Sequence, residues 1–301
     1  MTTLSDISRT ACVLFGLTNE RTMLNVKLYN KSNGLQKTNA VKYLEEYKNI
    51  INWKMDSTIL DIGCGDGGLT SKIFKEIIPN CKTMIGCDIS EDMIRFANEH
   101  YASERINFTT LNIEGELPDQ LRERFHHVIS FFALNWCHRQ ETAFQNIYDI
   151  LRDQGSCFAI IAERVSLFDA YRNLAKVEKW KPWLIDVERY ISPYHDSQDS
   201  RKEMEHLLGK VGFTVTKLEH KILVHDFENQ ENLKELRSKT YPISLITKEV
   251  VSRLSEEKNH YSMHTGPLLK PKNGSHGLLT LKDTYLHTMI ARIPLKKCNN
   301  Y

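Results

Sequence analysis

The chain lacks a Cys-x-x-Cys pair, a long apolar run and a concentrated basic stretch. Its seven cysteines (Cys12, Cys64, Cys81, Cys87, Cys137, Cys157 and Cys298) are odd in number and scattered. A disulfide framework and a zinc site are therefore not expected, and a reducing compartment is. A bilayer span needs about 18–20 consecutive apolar residues. The apolar stretch at residues 11–17 falls short of that, and Asp6 stands where a signal peptide would be basic. No membrane span and a cytoplasmic location are the expectation. Lys and Arg total 40 against 38 Asp and Glu, a net charge of +2, and the only terminal basic run is Lys296-Lys297. That balance argues against nucleic acid as a partner, which would call for a concentrated basic face. No Tyr-x-x-x-Lys pair occurs, so the usual proton donor of short-chain dehydrogenases is missing, and the Asp/Asn-Pro-Pro-Tyr signature of adenine amino-methyltransferases is absent too.

What is present is a globular composition: 41% hydrophobic and 26% charged residues over 301 positions. The length implies roughly two units, or one large α/β domain with an elaboration, and the N-terminal stretch reads as a poorly ordered or loosely docked extension. Apolar spacing predicts a helix over 36–52 and another after the glycine cluster through Ile77. A third follows Ser90, a good N-cap, and a fourth ends at Gly155. A fifth, around Met204, ends at Gly212. Short β-branched runs predict strands at Thr58–Ile62, Thr83–Asp88, 106–111, 127–133 and 156–162. Alternation of this kind implies parallel strands with helices on both faces. Beyond residue 163 the rhythm changes. Segments 164–205 and 228–262 read as largely helical and in part aromatic. Strands at 213–227 and 284–293 read as a hairpin closed by a long insertion.

Gly63-Cys64-Gly65-Asp66-Gly67-Gly68 joins the first strand to the next helix. Glycines are needed there for positive φ and for close approach of a ligand to the backbone. Asp88, 20 residues after Gly68, ends the second strand, where a carboxylate can accept both hydroxyls of a ribose. Asp61 chooses between cofactors. It lies two residues before the first glycine, where it would repel the pyrophosphate of a dinucleotide and suit the ammonium and sulfonium of S-adenosylmethionine. Asp66 adds a second carboxylate.

On these residues the chain resembles the class I methyltransferases, and most of all the insect juvenile hormone acid O-methyltransferase family. The resemblance runs from about Leu28 to the last strand. It is carried by Leu28-Tyr29, Asn33-Gly34-Leu35-Gln36-Lys37, Leu60-Asp61-Ile62-Gly63-Cys64-Gly65-Asp66-Gly67, Ile85-Gly86-Cys87-Asp88-Ile89-Ser90, Phe131-Phe132-Ala133-Leu134-Asn135-Trp136 and Ile191-Ser192-Pro193-Tyr194. It implies an extension over 1–22 and a single domain over 23–301, built on a Rossmann-like, seven-stranded, mostly parallel sheet with a reversed last strand and a helical cap near 164–205 and 228–262. It implies a cofactor site of Asp61, Gly63, Cys64, Gly65, Asp66, Asp88, Ile89, Asn112, Ile113 and Phe131, with no metal. It also implies methyl transfer to the carboxylate of an apolar isoprenoid acid such as farnesoic or juvenile hormone acid, held by Gln36 and Trp136, in a monomer or homodimer. Another small-molecule acid, or a catalytically weak cofactor-binding paralogue, is the alternative. Three departures stand out: residues 1–22 precede the family's usual start near Met23, Asn112 stands where an Asp is usual near the adenine, and His126 replaces the usual Asp entering the fourth strand.

The implied chemistry is undemanding. A carboxylic acid with a pKa of about 4 is already ionised at neutral pH, so no general base is required. Neutral donors suit it better than Arg or Lys, because a cation would blunt the nucleophile and repel a sulfonium. The amide of Gln36 and the indole of Trp136 are such donors.

Overall fold

In the computed structural model the described residues are 26, 29–30, 33–51, 53, 56–178, 181, 184–227 and 279–294. The extension 1–22 and the cap segment 228–262 lie outside them. The strands are β1 (Thr58–Ile62), β2 (Thr83–Asp88), β3 (Ile106–Thr110), β4 (Phe125–Phe131), β5 (Leu151–Val165), β6 (Thr214–Phe227) and β7 (Leu279–Arg292). The helices are α1 (Gly34–Tyr47), α2 (Gly68–Lys72, continued by a π turn Ile73–Ile77), α3 (Glu91–Tyr101), α4 (Gln140–Ile150), α5 (Ser166–Ala175) and α6 (Ser200–Val211).

One seven-stranded sheet results, in the order β3-β2-β1-β4-β5-β7-β6, with the last strand reversed. β1 is apolar apart from Thr58 and Asp61, and four of its five residues are buried, as a strand covered on both faces requires. It runs parallel to β2 on one side (Leu60 opposite Ile85) and to β4 on the other (Leu60 opposite Val128). The chain therefore reverses its direction of travel across the sheet beside β1, and a ligand crevice opens outside the strand ends at that point. α4 and α6 cover one face, where Phe144, Ile147, Met204 and Leu208 join Leu60, Val128 and Met289 in a continuous core. Ser90 caps α3 by accepting from the Met93 N–H at 3.4 Å. Gly212, at φ +110°, closes α6, and the Phe213 N–H returns to the Leu208 carbonyl at 2.9 Å.

Helix α1 ends at Tyr47 rather than 52, and β7 begins at Leu279 rather than 284; two further departures have a local physical cause. The fourth strand runs Phe125–Phe131 rather than 127–133, because Phe132 takes a φ of +57° and leaves the extended region. Helix α4 stops at Ile150, not at Gly155, and β5 begins at once. The register then jumps from Phe125 opposite Leu151 to His127 opposite Ser156. Residues 152–155 bulge out of the pairing, with Gln154 at φ +61°. A Cβ on Gly155 would sit 2.7 Å from the Arg152 carbonyl oxygen, so this glycine serves the bulge.

The chain divides into two compact units. One contains Gln36–Glu163, Ser192–Lys221 and the chain from Leu286. The other includes Arg164–Ile191, where α5 buries Phe168, Tyr171 and Leu174 and Arg172 forks onto the Glu188 carboxylate at 2.9 and 2.7 Å. The segment 164–205 expected as one cap is thus split at Ile191.

Candidate cofactor and substrate site

Three glycines after β1 have positive φ: Gly63 at +74°, Gly65 at +54° and Gly67 at +76°. The backbone of Gly63 approaches β4's exit so closely that a Cβ there would fall 2.1 Å from the Ala133 Cβ. A Cβ on Gly67 would strike the Phe108 ring at 2.8 Å and Ala97 at 2.7 Å. The loop is thus packed down onto its neighbours, and α2 starts directly behind it. The N–H groups of Gly63 and Cys64 both donate to the Cys87 carbonyl, at 2.7 and 3.0 Å. Cys64 itself is buried and donates to the Gly65 carbonyl at 3.7 Å. Burial and the surrounding carboxylates hold its thiol neutral, far above the usual range, so it is no nucleophile.

Asp88 ties this loop to the next one. One carboxylate oxygen accepts from the Gly65 N–H at 3.0 Å, the other from the Ser90 N–H at 2.9 Å. Burial raises its pKa, and these backbone donors pull it back. Each oxygen keeps a further lone-pair site, a match for a vicinal diol. Beside it the Ile89 side chain is 63% exposed, an apolar face beside a polar anchor, as a nucleoside needs. Asn112, also exposed, accepts from the Glu114 N–H at 3.0 Å. An aspartate would make the same turn. The following residues are fixed by Asn146, whose amide donates to the carbonyls of Ile113 and Gly115, each at 2.8 Å. The side chains of Ile113 and Phe131 are buried.

Asp61 and Asp66 take different parts. Asp66 spends one oxygen on the Gly68 N–H (3.0 Å) and the other on the Lys37 ammonium (3.2 Å). It braces the loop, and Lys37 offsets its charge. Asp61 is 2% exposed and accepts from the Thr70 hydroxyl at 2.6 Å. Burial pushes its carboxyl up to about 7, with Thr70 opposing and Asp88 adding to the rise. The negative charge available to a cationic ligand therefore comes from Asp61 and Asp88, and an acidic loop of this kind fits a sulfonium amino acid and not a pyrophosphate. Sequence reasoning missed Thr70, Lys37 and Asn146. Lys37 adjoins Gln36, but nothing in the sequence aims it at Asp66.

Lys37 also fastens the start of α1 to the glycine loop, which sets the position of Gln36. The Gln36 Oε1 is buried and has no hydrogen-bond partner among the described residues. With the amide turned, its NH₂ would occupy that place and offer a donor with no protein acceptor. Trp136 ends the short helical turn Leu134–Trp136 after β4. Its indole nitrogen lies 3.1 Å from the Asn135 side-chain amide. With the oxygen of that amide accepting from the indole, its NH₂ donates to the Phe132 carbonyl at 3.2 Å. Asn135, buried and overlooked in the sequence, thus holds the indole in place.

Two outcomes follow. Asp88→Ala removes charge-assisted bonds worth about 1.5–3 kcal/mol each, so calorimetry should show at least a roughly tenfold weaker affinity for S-adenosylhomocysteine. A folded variant of unchanged affinity would take Asp88 out of the site. For Asp61 the folded pKa, about 7, lies above the unfolded value of about 4. Its stabilising share is therefore complete below about pH 4 and lost as pH rises through about 7. In urea titrations without cofactor, wild-type stability relative to Asp61→Asn should fall between those limits. A constant difference would contradict the buried, proton-holding Asp61.

Residues 59–155 match the family described as a methyltransferase domain. The chain is 40% identical over 237 residues to the juvenile hormone acid O-methyltransferase of Bombyx mori, covering 78% of this chain and 84% of that one. It is 33% identical over 218 residues to the enzyme of that name from Drosophila melanogaster, covering 71% and 73%. A solved N-methyltransferase of Haemonchus contortus, in complex with phosphomonomethylethanolamine and S-adenosylhomocysteine, matches with a TM-score of 0.53 at 17% identity, over 92% of this chain and 59% of that one. This likeness shows the fold. With a methyltransferase sheet, an acidic glycine loop and relatives that match along most of its length, the chain belongs to the juvenile hormone acid O-methyltransferase family, whose members use S-adenosylmethionine.

Proposed function

We propose that the protein methyl-esterifies the carboxylate of an apolar isoprenoid acid, such as farnesoic or juvenile hormone acid, in the cytoplasm, as a step of juvenile hormone biosynthesis. The relatives' names support the substrate class. The observation that carries the chemistry is the buried Gln36 Oε1, without a partner among the described residues, beside Lys37, which is tied to the cofactor loop. A buried polar group without a partner costs about 1–3 kcal/mol; with the amide turned, its NH₂ stands there and donation to a substrate oxygen would recover that cost.

S-adenosylmethionine, when bound, supplies a methyl group on an electrophilic sulfonium. Asp88 and Ile89 would hold the nucleoside, and Asp61 would face its cationic end. Gln36 and Trp136 donate to the substrate carboxylate, which arrives ionised, so no residue takes a proton from it. Both donors are neutral, so they fix the position of the oxygens without drawing off their charge. A carboxylate, a stronger acceptor than an amide oxygen, would take the indole N–H from Asn135. Alignment of acceptor and methyl group, with water excluded, supplies the acceleration.

Gln36→Ala and Trp136→Phe should each lower kcat/KM for the best acid by roughly tenfold to a hundredfold, the worth of one donor to a charged group. Affinity for S-adenosylhomocysteine should barely move. The double variant should lose less than the sum, because either loss already frees the carboxylate to swing. Wild-type turnover in both folded single variants would refute the carboxylate clamp.

A further inference from the structure

The sheet's other end carries a feature that methyl transfer does not use. The first residues of β4 and β5 meet the end of β7 around a cavity of about 440 Å³, lined in part by His126, His127, Arg152, Asp153, Ser156 and Arg292. Thr58, which contacts His126, opens β1 at the end opposite Gly63. Five residues at about 3.3 Å each put about 13–16 Å between this place and the glycine loop.

The hydrogen bonding here gathers donors. The Thr58 backbone N–H donates to His126 Nδ1 at 3.0 Å. A backbone N–H has its direction fixed by the chain, so Nδ1 carries the lone pair and the ring proton sits on Nε2. That nitrogen lies 3.1 Å from Nη1 of Arg152, and a guanidinium has no acceptor. Two N–H groups therefore converge on one space. Arg152 is kept in place by the Glu123 carbonyl, which accepts from its Nε at 3.4 Å. Arg292 anchors one end of its fork on the Ile50 carbonyl at 2.6 Å, which leaves other guanidinium N–H groups for the cavity. His127 is part of the wall: its two ring nitrogens lie 3.3 Å from the Ser57 hydroxyl and 2.7 Å from that of Ser156. Asp153 is the one carboxylate in the lining, against two guanidiniums.

We propose that this cavity is a second ligand site, separate from the cofactor loop, which takes a small molecule bearing a phosphate or carboxylate oxyanion seated between His126, Arg152 and Arg292. An oxygen placed between His126 Nε2 and the Arg152 fork accepts from both and relieves their opposition. The volume falls in the range of small-molecule pockets, about 300–1,000 Å³, and exceeds several times the roughly 30 Å³ share of one water. An organic body therefore fits with the anionic group. The bulge at 152–155 builds the site, since it carries Arg152 out of the strand pairing.

The test is calorimetry on the full chain with inorganic phosphate, pyrophosphate and citrate, on wild type, Arg152→Gln and His126→Asp. Circular dichroism melting checks that each variant folds. Saturable binding of at least one probe is expected, and which probe binds best tells phosphate from carboxylate. Arg152→Gln, at an exposed position, should weaken it about tenfold. His126→Asp, which sets a carboxylate against the anion, should abolish it. Absence of saturable binding by all three probes, or equal binding in wild type and folded Arg152→Gln, would overturn the proposal. Methyl transfer enters neither readout.

Discussion

The carboxylate of Asp88 is the bond on which the cofactor end of the sheet depends. It joins the glycine loop, through Gly65, to the cap of α3, through Ser90. The loop can reach it because Gly63, Gly65 and Gly67 occupy left-handed backbone regions open to few other residues. Packing leaves no slack: Ala133, Phe108 and Ala97 fill the space that side chains on Gly63 and Gly67 would need. Buried charge is the cost of this arrangement. Burial, and the nearby Asp88 after it, raise the proton affinity of Asp61 against the Thr70 hydroxyl, and burial raises that of Asp88 against its backbone N–H donors. A cationic ligand relieves that repulsion, whereas a pyrophosphate would add to it.

A second balance governs the substrate end. Lys37 sits beside Gln36 in sequence, yet its ammonium is directed to Asp66 and away from the role of carboxylate ligand. The donors proposed for an acid are an amide and an indole, both neutral. Asn135 gives the indole an acceptor in the amide orientation that also serves the Phe132 carbonyl, whereas the buried Oε1 of Gln36 has no partner among the described residues.

Much of this was legible in the residues. β1 and β2 are short, β-branched runs ending at a glycine cluster and an aspartate, and their bounds, Thr58–Ile62 and Thr83–Asp88, match the reading. Ser90 and Gly212 announce a helix start and a helix end by local chemistry alone. Gly155 misleads because a glycine after a helical pattern looks like a C-terminal stop, while here a strand bulge requires it. Long-range pairs leave no periodic trace: Lys37 meets Asp66 across 29 residues, and Thr58 meets His126 across 68. Asp66 was read as cofactor charge, and only the fold reveals the lysine that neutralises it. His126 was visible as a departure, but its significance depends on a backbone N–H from another strand.

The central claim is that a loop shaped for a cationic methyl donor faces neutral donors shaped for a carboxylate. The most direct measurement is mass spectrometry of purified protein incubated with isotopically labelled S-adenosylmethionine and a panel of acids: farnesoic, juvenile hormone, simple fatty and tricarboxylic. A labelled methyl ester of an isoprenoid acid, formed in preference to esters of the others, is the result expected. Labelling of none of these acids by a protein that binds S-adenosylhomocysteine, or of the tricarboxylic acid alone, would contradict it.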